Sequence, residues 1–418
     1  MVFRFLCNCE YTFSKLNHPH SLHISSLSII YFDTITIKPQ ETKQKSRGTL
    51  VAGICAGNIK VCEIQSGRAH DGSTTTPTGD HFKLAIPFAG QTIMWDVVFD
   101  GNAPESPPDF TFDDLTFLAD PDVAILEKYV PSLAKWDSQD PKALMNVITE
   151  LLYLYKKHQV ALLTDPDYTR LQFEYSTLIG GTQIVENDVE VLIQNRNKTT
   201  GRTRSGTGAV NFLIHLNVDF SGIPPVQGTT DNTGKDAAVL LVTFHSPDWS
   251  RITPQLCLSP GVEKALGNTS FTVPLFPQGN CLMDYVPLVM LQLNNKIAAI
   301  IAAHEKKKGF VTAFMFHMGK ALLEYDTVDF TYMSFLLVKR DFHFLLHINL
   351  SPNFPKECPV FTLQSMYHAL WGKPFKLKID DCPFSPRWEP RQMVERACLH
   401  IKDHIDGFQK SSIQKSQE

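Results

Sequence analysis

The stretch WDVVFDGNAPESPPDFTF, residues 95–112, decides the fold of this chain. Apolar side chains occupy every second position from Ile93 to Phe99, which is the period of a strand with one buried face. The prolines that follow end the strand because they have no N–H to donate to a neighbouring strand. Two more stretches have this order of features, LLVTFHSPDWSRITPQLCL at 240–258 and FLLHINLSPNFPKECPVFTL at 344–363. The sequence therefore predicts three versions of one structural unit.

Each predicted unit is a meander of about four antiparallel strands with helices on one face. The helices are indicated by apolar residues at spacings of three and four, as from Leu144 to Tyr155 and from Met393 to Phe408. A further helix, from about Asp284 to His304, fits either the end of the second unit or the start of the third, and we assign it to the third. The predicted fold class is therefore α+β, with tandem domains.

Length supports this count, since 418 residues suffice for roughly three compact domains. Residues 1–48 mix short apolar patches with His, Ser and Thr in no clear period, and we interpret them as an N-terminal tail for which disorder is one reading. The predicted domains are 49–160, 161–278 and 279–410, followed by a C-terminal tail at 411–418.

Composition and charge narrow the class of protein. Hydrophobic residues make up 43% and charged residues 20% of the chain, which is ordinary globular usage. A net charge of −4 argues against a general nucleic-acid binder held by phosphate neutralisation. The nine cysteines include no CxxC pair, so neither a disulfide framework nor a zinc ribbon is indicated. No run reaches roughly 18 uninterrupted apolar residues, so we expect a soluble intracellular protein without a membrane segment.

The proline-ended strands resemble the signature of ubiquitin-conjugating (E2) folds and of their relatives, the UEV and RWD domains. In the first unit the matching residues are Pro104, Pro107, Pro108 and Phe110, and Trp136 begins a stretch similar to the Trp-x-Pro element of these folds. This resemblance implies that each unit is an E2-like domain.

The third unit repeats the E2-type signature. Pro355, Pro359 and Phe361 match it, although Cys358 stands where a proline is expected. The segment Trp388–Pro390 repeats the Trp-x-Pro element. Two such pairings in one chain are more specific than a single proline motif.

An active E2 would need a cysteine thiolate between the proline-ended strand and the Trp-x-Pro element, with an Asn to stabilise the oxyanion. The first unit has no cysteine from Asp109 to Trp136, so it cannot form a thioester there. In the third unit Cys382 precedes the Trp-x-Pro element, but His-Pro-Asn is absent and Tyr367-His368-Ala369 stands in its neighbourhood. We interpret Cys382 as a loop or core residue and keep an E2-like conjugating enzyme as the alternative hypothesis.

Residues from about 49 to 410 resemble the BRE family, the brain and reproductive organ-expressed proteins. The stretches that carry the resemblance are FKLAIPFAGQTIMWDVVFD, PPDF, RLQFEYSTL, VDFSGIP, LSPGVEKALG, CLMDYVP and SPRWEPRQMVERA. The resemblance implies a non-catalytic scaffold in two deubiquitinase assemblies, the cytoplasmic BRISC complex and a nuclear BRCA-A complex. It also implies roles in the DNA damage response and in cytokine and apoptosis signalling. The N-terminal tail departs from the pattern of the family.

The same resemblance implies the partners. They are a JAMM/MPN+ zinc deubiquitinase that cuts 63-linked polyubiquitin, its inactive MPN-like scaffold partner and a von Willebrand A (VWA) type adaptor. In the family the C-terminal UEV region contacts the adaptor, and the protein bridges it to the MPN pair. Serine hydroxymethyltransferase and polyubiquitin are further candidate partners. No catalytic, cofactor or metal site is implied in this chain.

Other residue clusters have structural explanations that we favour. The basic, Gly-rich stretch Arg196–Gly208 resembles a phosphate loop but lacks the Gly-Lys-Ser/Thr ending, so a solvated hairpin loop is preferred. The fifteen histidines include no HExxH, so no zinc site is expected, and we expect His343 and His347 to be sheet residues.

Partner-binding residues are the least determined by the sequence. Aromatic and Arg side chains dominate protein interfaces, and on that ground Arg387, Trp388 and Arg391 are tentative candidates. Packing of Trp388 under its own helix is the alternative that we favour for that residue. A ubiquitin-binding adaptor that acts alone is a third hypothesis for the whole chain.

Overall fold

The structure of this protein is a computed structural model. It describes residues 58–65, 80–100, 103, 105–119, 121–195, 207–225, 236–267 and 271–415. Within these ranges the chain forms two compact units, one with the described residues up to His158 and one with those from Gln159 onward. The antiparallel strands of the described residues form three sheets, which confirms the α+β class.

The first sheet has the order β1-β2-β3-β4 over the residues that the structure describes. Its elements are β1 (Lys60–Gln65), β2 (His81–Phe88), β3 (Gln91–Val98) and β4 (Asp109–Phe112), followed by the helices α1 (Val123–Tyr129), α2 (Pro131–Ala134) and α3 (Ala143–Leu162). The strand alternation predicted from the sequence is present, because Trp95 and Val97 are buried while Thr92 and Val98 are exposed. Trp95 packs edge to face against Tyr155 of α3, with ring centroids 6.1 Å apart, so the helix covers the apolar face of this sheet.

The second sheet has the order β5-β6-β7-β8 in the described part of the chain. Its elements are α4 (Thr169–Gly181), β5 (Val189–Asn195), β6 (Thr207–Leu216), β7 (Ala238–His245), β8 (Arg251–Leu258) and α5 (Pro260–Leu266). Phe212 and Phe244 lie on neighbouring strands and pack edge to face at the centre of its core. The edge strand β8 contains Pro254, which is the position in a sheet where proline is tolerated.

The third sheet has five strands in the described residues, one more than the four predicted. Its elements are β9 (Leu322–Tyr325), β10 (Tyr332–Lys339), β11 (Phe342–Asn349), β12 (Val360–Leu370) and β13 (Lys373–Ile379), and α7 (Pro390–Lys415) covers it. The extra strand is β9, which pairs only with residues 333–335 of β10. Four residues are too few to show a two-residue period, and this is why the sequence pattern missed the strand.

The helix α6 (Leu282–Met318) belongs to two cores, whereas the sequence assigned it to the third unit alone. Its first half buries Tyr285, Val289 and Leu293 in the core of the second sheet. Its second half buries Phe310 and Phe314 in the core of the third sheet. This helix makes the second and third sheets parts of one compact unit. The domain boundaries predicted at 160 and 278 stay predictions.

Among the described residues, one segment is long and apolar enough to cross a membrane, namely Leu282–Ala321, with a mean hydropathy of 1.5 in its best window. The sequence predicted no such segment because polar residues such as Asn294 and Lys296 interrupt its apolar run. A core helix of a folded protein passes the same test, and α6 contributes buried residues to two cores.

Candidate functional site

The described residues of the E2-type signature in the first unit lie on or beside the sheet. Pro108 is buried, Pro107 is exposed, and Phe110 on β4 pairs with Val97 of β3. The ring of Trp136 lies 6.2 Å from that of Phe99, at the end of β3. Pro104 lies outside the described residues. These contacts are structural, and none of them presents a reactive group.

An E2 nucleophile would lie between Asp109 and Trp136 in the first unit. This segment instead packs the aromatic ring of Phe117 against the sheet. Phe117 is buried and stacks on Trp95 with ring centroids 6.3 Å apart. Its ring also meets those of Phe112 at 4.7 Å and Tyr155 at 4.9 Å, both edge to face. Packing of this kind fills the space between the segment and the sheet with apolar side chains.

A polar cluster that the sequence did not indicate lies beside this ring. The hydroxyl of Thr116 donates to the Asp114 carboxylate at 2.7 Å and lies 3.1 Å from Nε2 of His158. Burial lowers the pKa of His158, although the charge of Asp114 opposes the shift. The cluster ties the segment to α3. Because the hydroxyl proton is directed to the carboxylate, the arrangement does not activate Thr116 through the imidazole.

The signature of the third unit is also part of a core. Pro359 and Phe361 are buried, and Pro355 is half-buried after a cis peptide bond with Phe354. The Phe354 ring packs 5.2 Å from that of Phe310 on α6. The prolines thus fix the path of the chain between β11 and β12.

Cys382 lies in the loop between β13 and α7 and is half-buried. Burial raises the pKa of its thiol to about 12, and the nearby Cys358 and Cys398 contribute to the rise. A thiol with this pKa is ionised in only about one molecule in 100,000 at pH 7, and the thiolate is the nucleophile. The geometry therefore gives Cys382 none of the activation that thioester chemistry needs.

The residues expected near Cys382 have other partners. Tyr367 places its hydroxyl 2.8 Å from Nδ1 of His343, and His368 lies 3.1 Å from the Ser412 hydroxyl through its own Nδ1. His347 bridges neighbouring strands, with Nδ1 2.9 Å from the Ser334 hydroxyl and Nε2 3.2 Å from Gln364 Oε1. In the described part of the chain no group of three or more His, Cys, Asp or Glu residues could hold a metal ion.

An apolar groove lies between the end of α6 and α7, beside the third sheet. Its volume is about 520 Å³. Its lining residues are His317, Met318, Leu337, Val338, Phe344, Glu395, Cys398, Leu399, Ile401, Lys402 and Ile405. We call this surface the α6/α7 groove.

Two features of the chain open the α6/α7 groove. The helices approach each other closely at Gly309, where a Cβ atom would lie 3.1 Å from Cγ of Pro390, and the groove lies farther along both helices. The short strand β9 leaves Leu337 and Val338 of β10 without a neighbouring strand on that side, while β11 pairs with them on the other side. Apolar side chains that a longer strand would cover are therefore accessible.

The three tentative partner-binding residues lie around α7. Arg391 is exposed, and its guanidinium lies 5.7 Å from the ring of Phe316, whose side chain is 77% exposed. Arg387 is exposed on the turn before α7. Trp388 is half-buried, packs against the third core and lies under the guanidinium of Arg396 at 4.1 Å.

Of these residues, Arg391 adjoins the α6/α7 groove, because it lies one helical turn before Glu395. The sequence reasoning missed Phe316 and Leu399, which are apolar and exposed. One signal for Leu399 was available. Leu399 lies off the apolar stripe of α7 formed by Met393, Ala397 and Ile401, so it does not face the core of the third sheet.

Comparison with known proteins identifies the family. The family described as "Brain and reproductive organ-expressed protein (BRE)" matches residues 40–369. A protein of Branchiostoma floridae named "BRISC and BRCA1-A complex member 2" is 43% identical over 364 residues, which cover 86% of this chain and 91% of the relative. A protein of Danio rerio with the same name is 38% identical over 341 residues, 80% of this chain and 85% of the relative. The family match covers the first two sheets and most of the third, and the chain belongs to the BRE family.

Proposed function

We propose that this chain is a non-catalytic scaffold subunit of a JAMM/MPN+ deubiquitinase complex. The observation that carries the proposal is the 43% identity, over 86% of the chain, to a relative named as a member of the BRISC and BRCA1-A complexes. The protonated thiol of Cys382 supports a role without thioester chemistry. In this proposal the isopeptidase subunit cuts 63-linked polyubiquitin, and this chain bridges the MPN pair to a VWA-type adaptor in cytoplasmic and nuclear assemblies.

The α6/α7 groove is the surface that we propose for the adaptor. It is apolar at its floor and carries Glu395 and Lys402 among its lining residues. Leu399 is an exposed lining residue, and exposed Phe316 extends the apolar area beyond the groove. Interfaces with an apolar centre and a charged rim are typical of specific protein association.

Co-purification tests this assignment. The chain is co-expressed with the MPN+ isopeptidase, its MPN-like partner and the VWA-type adaptor, and the recovered amount of each subunit is measured. Substitution Arg391→Glu should lower adaptor recovery, because it removes the cation over Phe316 and places a second carboxylate one turn from Glu395. Arg251→Glu, on the edge strand of the second sheet, is the matched control. Equal adaptor recovery with both variants would exclude this surface.

An E2-like conjugating enzyme is the second candidate, favoured only by the position of Cys382 before the Trp-x-Pro element. Incubation with E1, ATP and ubiquitin distinguishes the two functions. A scaffold forms no thioester, whereas an E2 forms a reducible ubiquitin adduct that Cys382→Ala abolishes. Recovery of ubiquitin by the chain alone, without the complex subunits, would instead support an adaptor that acts by itself.

A further inference from the structure

The hairpin of β12 and β13 extends beyond the rest of the third sheet. Pairing between β11 and β12 ends at Phe344 and Ser365. Pairing between β12 and β13 shifts its register between Gln364 and Ala369 and then extends to Leu370 and Lys373. The segment 366–374, which we call the tip hairpin, is therefore a two-stranded projection.

Trp371 occupies the turn of the tip hairpin in a conformation that does not suit it. Its φ is +50°, and that of Gly372 is +75°. Two-residue turns with both φ angles positive favour Asn-Gly, and a bulky residue at positive φ is uncommon because it is sterically costly. The turn geometry thus gives no reason for a tryptophan at this position.

Packing does not explain Trp371 either. Its side chain is 92% exposed, the most of any large hydrophobic residue in the described part of the chain. Met366 and Tyr367 on the same hairpin are also more than half exposed. A projecting aromatic residue with apolar neighbours is the composition of an interface hot spot.

The tip hairpin is held in place before any partner binds. The Tyr367 hydroxyl lies 2.8 Å from His343 Nδ1, which ties the hairpin to β11. His368 lies 3.1 Å from the Ser412 hydroxyl, which ties it to the last turns of α7. An anchor that is already ordered loses less conformational entropy on binding.

Cations surround the tip hairpin. Lys373 follows the turn, and Lys415 lies 5.9 Å from the ring of Phe375 on β13. Arg340 is exposed on the neighbouring turn, where the Tyr367 hydroxyl meets the backbone carbonyl of Asp341 at 3.4 Å. Arg340, Lys373 and Lys415 outnumber the exposed Asp341 of the neighbouring turn, so an acidic partner surface is favoured.

We propose that the tip hairpin docks on a protein partner that presents an apolar pocket for Trp371 bordered by carboxylates. The inference rests on the proposed function, which places the chain in an assembly of several subunits. A protein is favoured over a nucleic acid because the chain has a net charge of −4 and the hairpin offers one indole with no row of stacking rings.

Binding of the full-length chain to the purified assembly of MPN+ isopeptidase, MPN-like partner and VWA-type adaptor tests the inference. Trp371→Asn removes the indole while suiting the positive φ, so the fold is retained. We expect affinity to fall about tenfold or more, the size of a hot-spot effect. Leu275→Asn, at an 87% exposed leucine outside the hairpin, is the matched control and should bind as the wild type. Lys373→Glu should weaken binding most at low salt.

The outcomes separate this inference from the proposed function. If the wild-type chain does not bind the assembly, both fail. If it binds and Trp371→Asn binds equally well, the tip-hairpin inference alone is overturned. If Trp371→Asn instead abolishes binding to phosphatidylserine vesicles and leaves assembly binding unchanged, the partner is a membrane and the protein assignment is wrong.

Discussion

At the scale of single residues, the protonation state of the Cys382 thiol distinguishes a scaffold from an enzyme that forms a ubiquitin thioester. Burial raises the pKa of its thiol to about 12. We expect its alkylation rate in the native protein to rise about tenfold per pH unit from pH 7 to beyond pH 10 without a plateau, because only the thiolate reacts. Iodoacetamide labelling followed by peptide mass spectrometry measures this. The urea-unfolded chain is the control and should level off above the ordinary thiol pKa of about 8.5. A native plateau near pH 8 would contradict the protonated state.

Glu174 is a buried carboxyl that links α4 to the start of α6. It accepts a hydrogen bond from the Leu282 backbone N–H at 2.7 Å, and burial raises its pKa above the ordinary 4.5. Because the folded state binds this proton more tightly than the unfolded state, the associated stability is fully present below pH 4.5 and is lost as pH rises through the raised pKa.

Glu174→Gln should remove this pH dependence, since the amide keeps an acceptor for Leu282 and does not titrate. Urea unfolding between pH 4 and pH 8, followed by tryptophan emission, gives the free energy of unfolding of both proteins. We expect the free energy of unfolding of the variant minus that of the wild type to increase as pH rises through the raised pKa of Glu174. A constant difference over this range would show that Glu174 has an ordinary pKa.

Gly208 on β6 shows where a single methyl group is not tolerated. A Cβ atom at this position would lie 1.8 Å from the backbone carbonyl oxygen of Gln194. Gly208→Ala should therefore cost more than about 2 kcal/mol of unfolding free energy, because a backbone atom cannot move aside cheaply. Gly180→Ala on α4 is the control, since nothing lies within 4 Å of its added Cβ. Equal thermal stability of the two variants would contradict this geometry.

At the scale of elements, α6 couples two sheets through buried residues along its length. Ala302 lies on the exposed side between the two sets of buried residues. Ala302→Pro should cost about 3 kcal/mol, because proline removes a helix hydrogen bond and clashes with the preceding turn. We expect the single unfolding transition of residues from Gln159 onward to split in two, as measured by hydrogen exchange in urea. Ala302→Gly is the control, and we expect it to cost less stability and to keep one unfolding transition. A single transition in Ala302→Pro would argue against coupling through α6.

Elements with long periodic patterns were predictable from the sequence. The alternation around Trp95 and the helix from Leu144 to Tyr155 gave β3 and α3, because burial of one face imposes a period on the residues. The short strand β9 was missed because four residues are too few to show a period, and the sharing of α6 between two cores was missed because it depends on contacts distant in sequence. The α6/α7 groove could not be predicted for the same reason, although Arg391 beside it was named.

At the scale of the whole molecule, the described residues form three antiparallel sheets with helices, and no group of three or more potential metal ligands lies among them. Pro108 and Pro359 of the E2-type signatures are buried, and burial raises the pKa of Cys382 to about 12. Two accessible apolar surfaces among the described residues are the α6/α7 groove and the tip hairpin, at different places beside the third sheet. Two such surfaces on one body suit a protein that holds partners in a fixed arrangement.

The central claim is that this chain bridges other subunits of a deubiquitinase complex. Native mass spectrometry of the MPN+ isopeptidase, MPN-like partner and VWA-type adaptor, co-expressed with and without this chain, tests it most directly. We predict one complex that contains all four proteins, and loss of the adaptor from the MPN pair when this chain is omitted. An adaptor that stays bound to the MPN pair without this chain would contradict the bridging role.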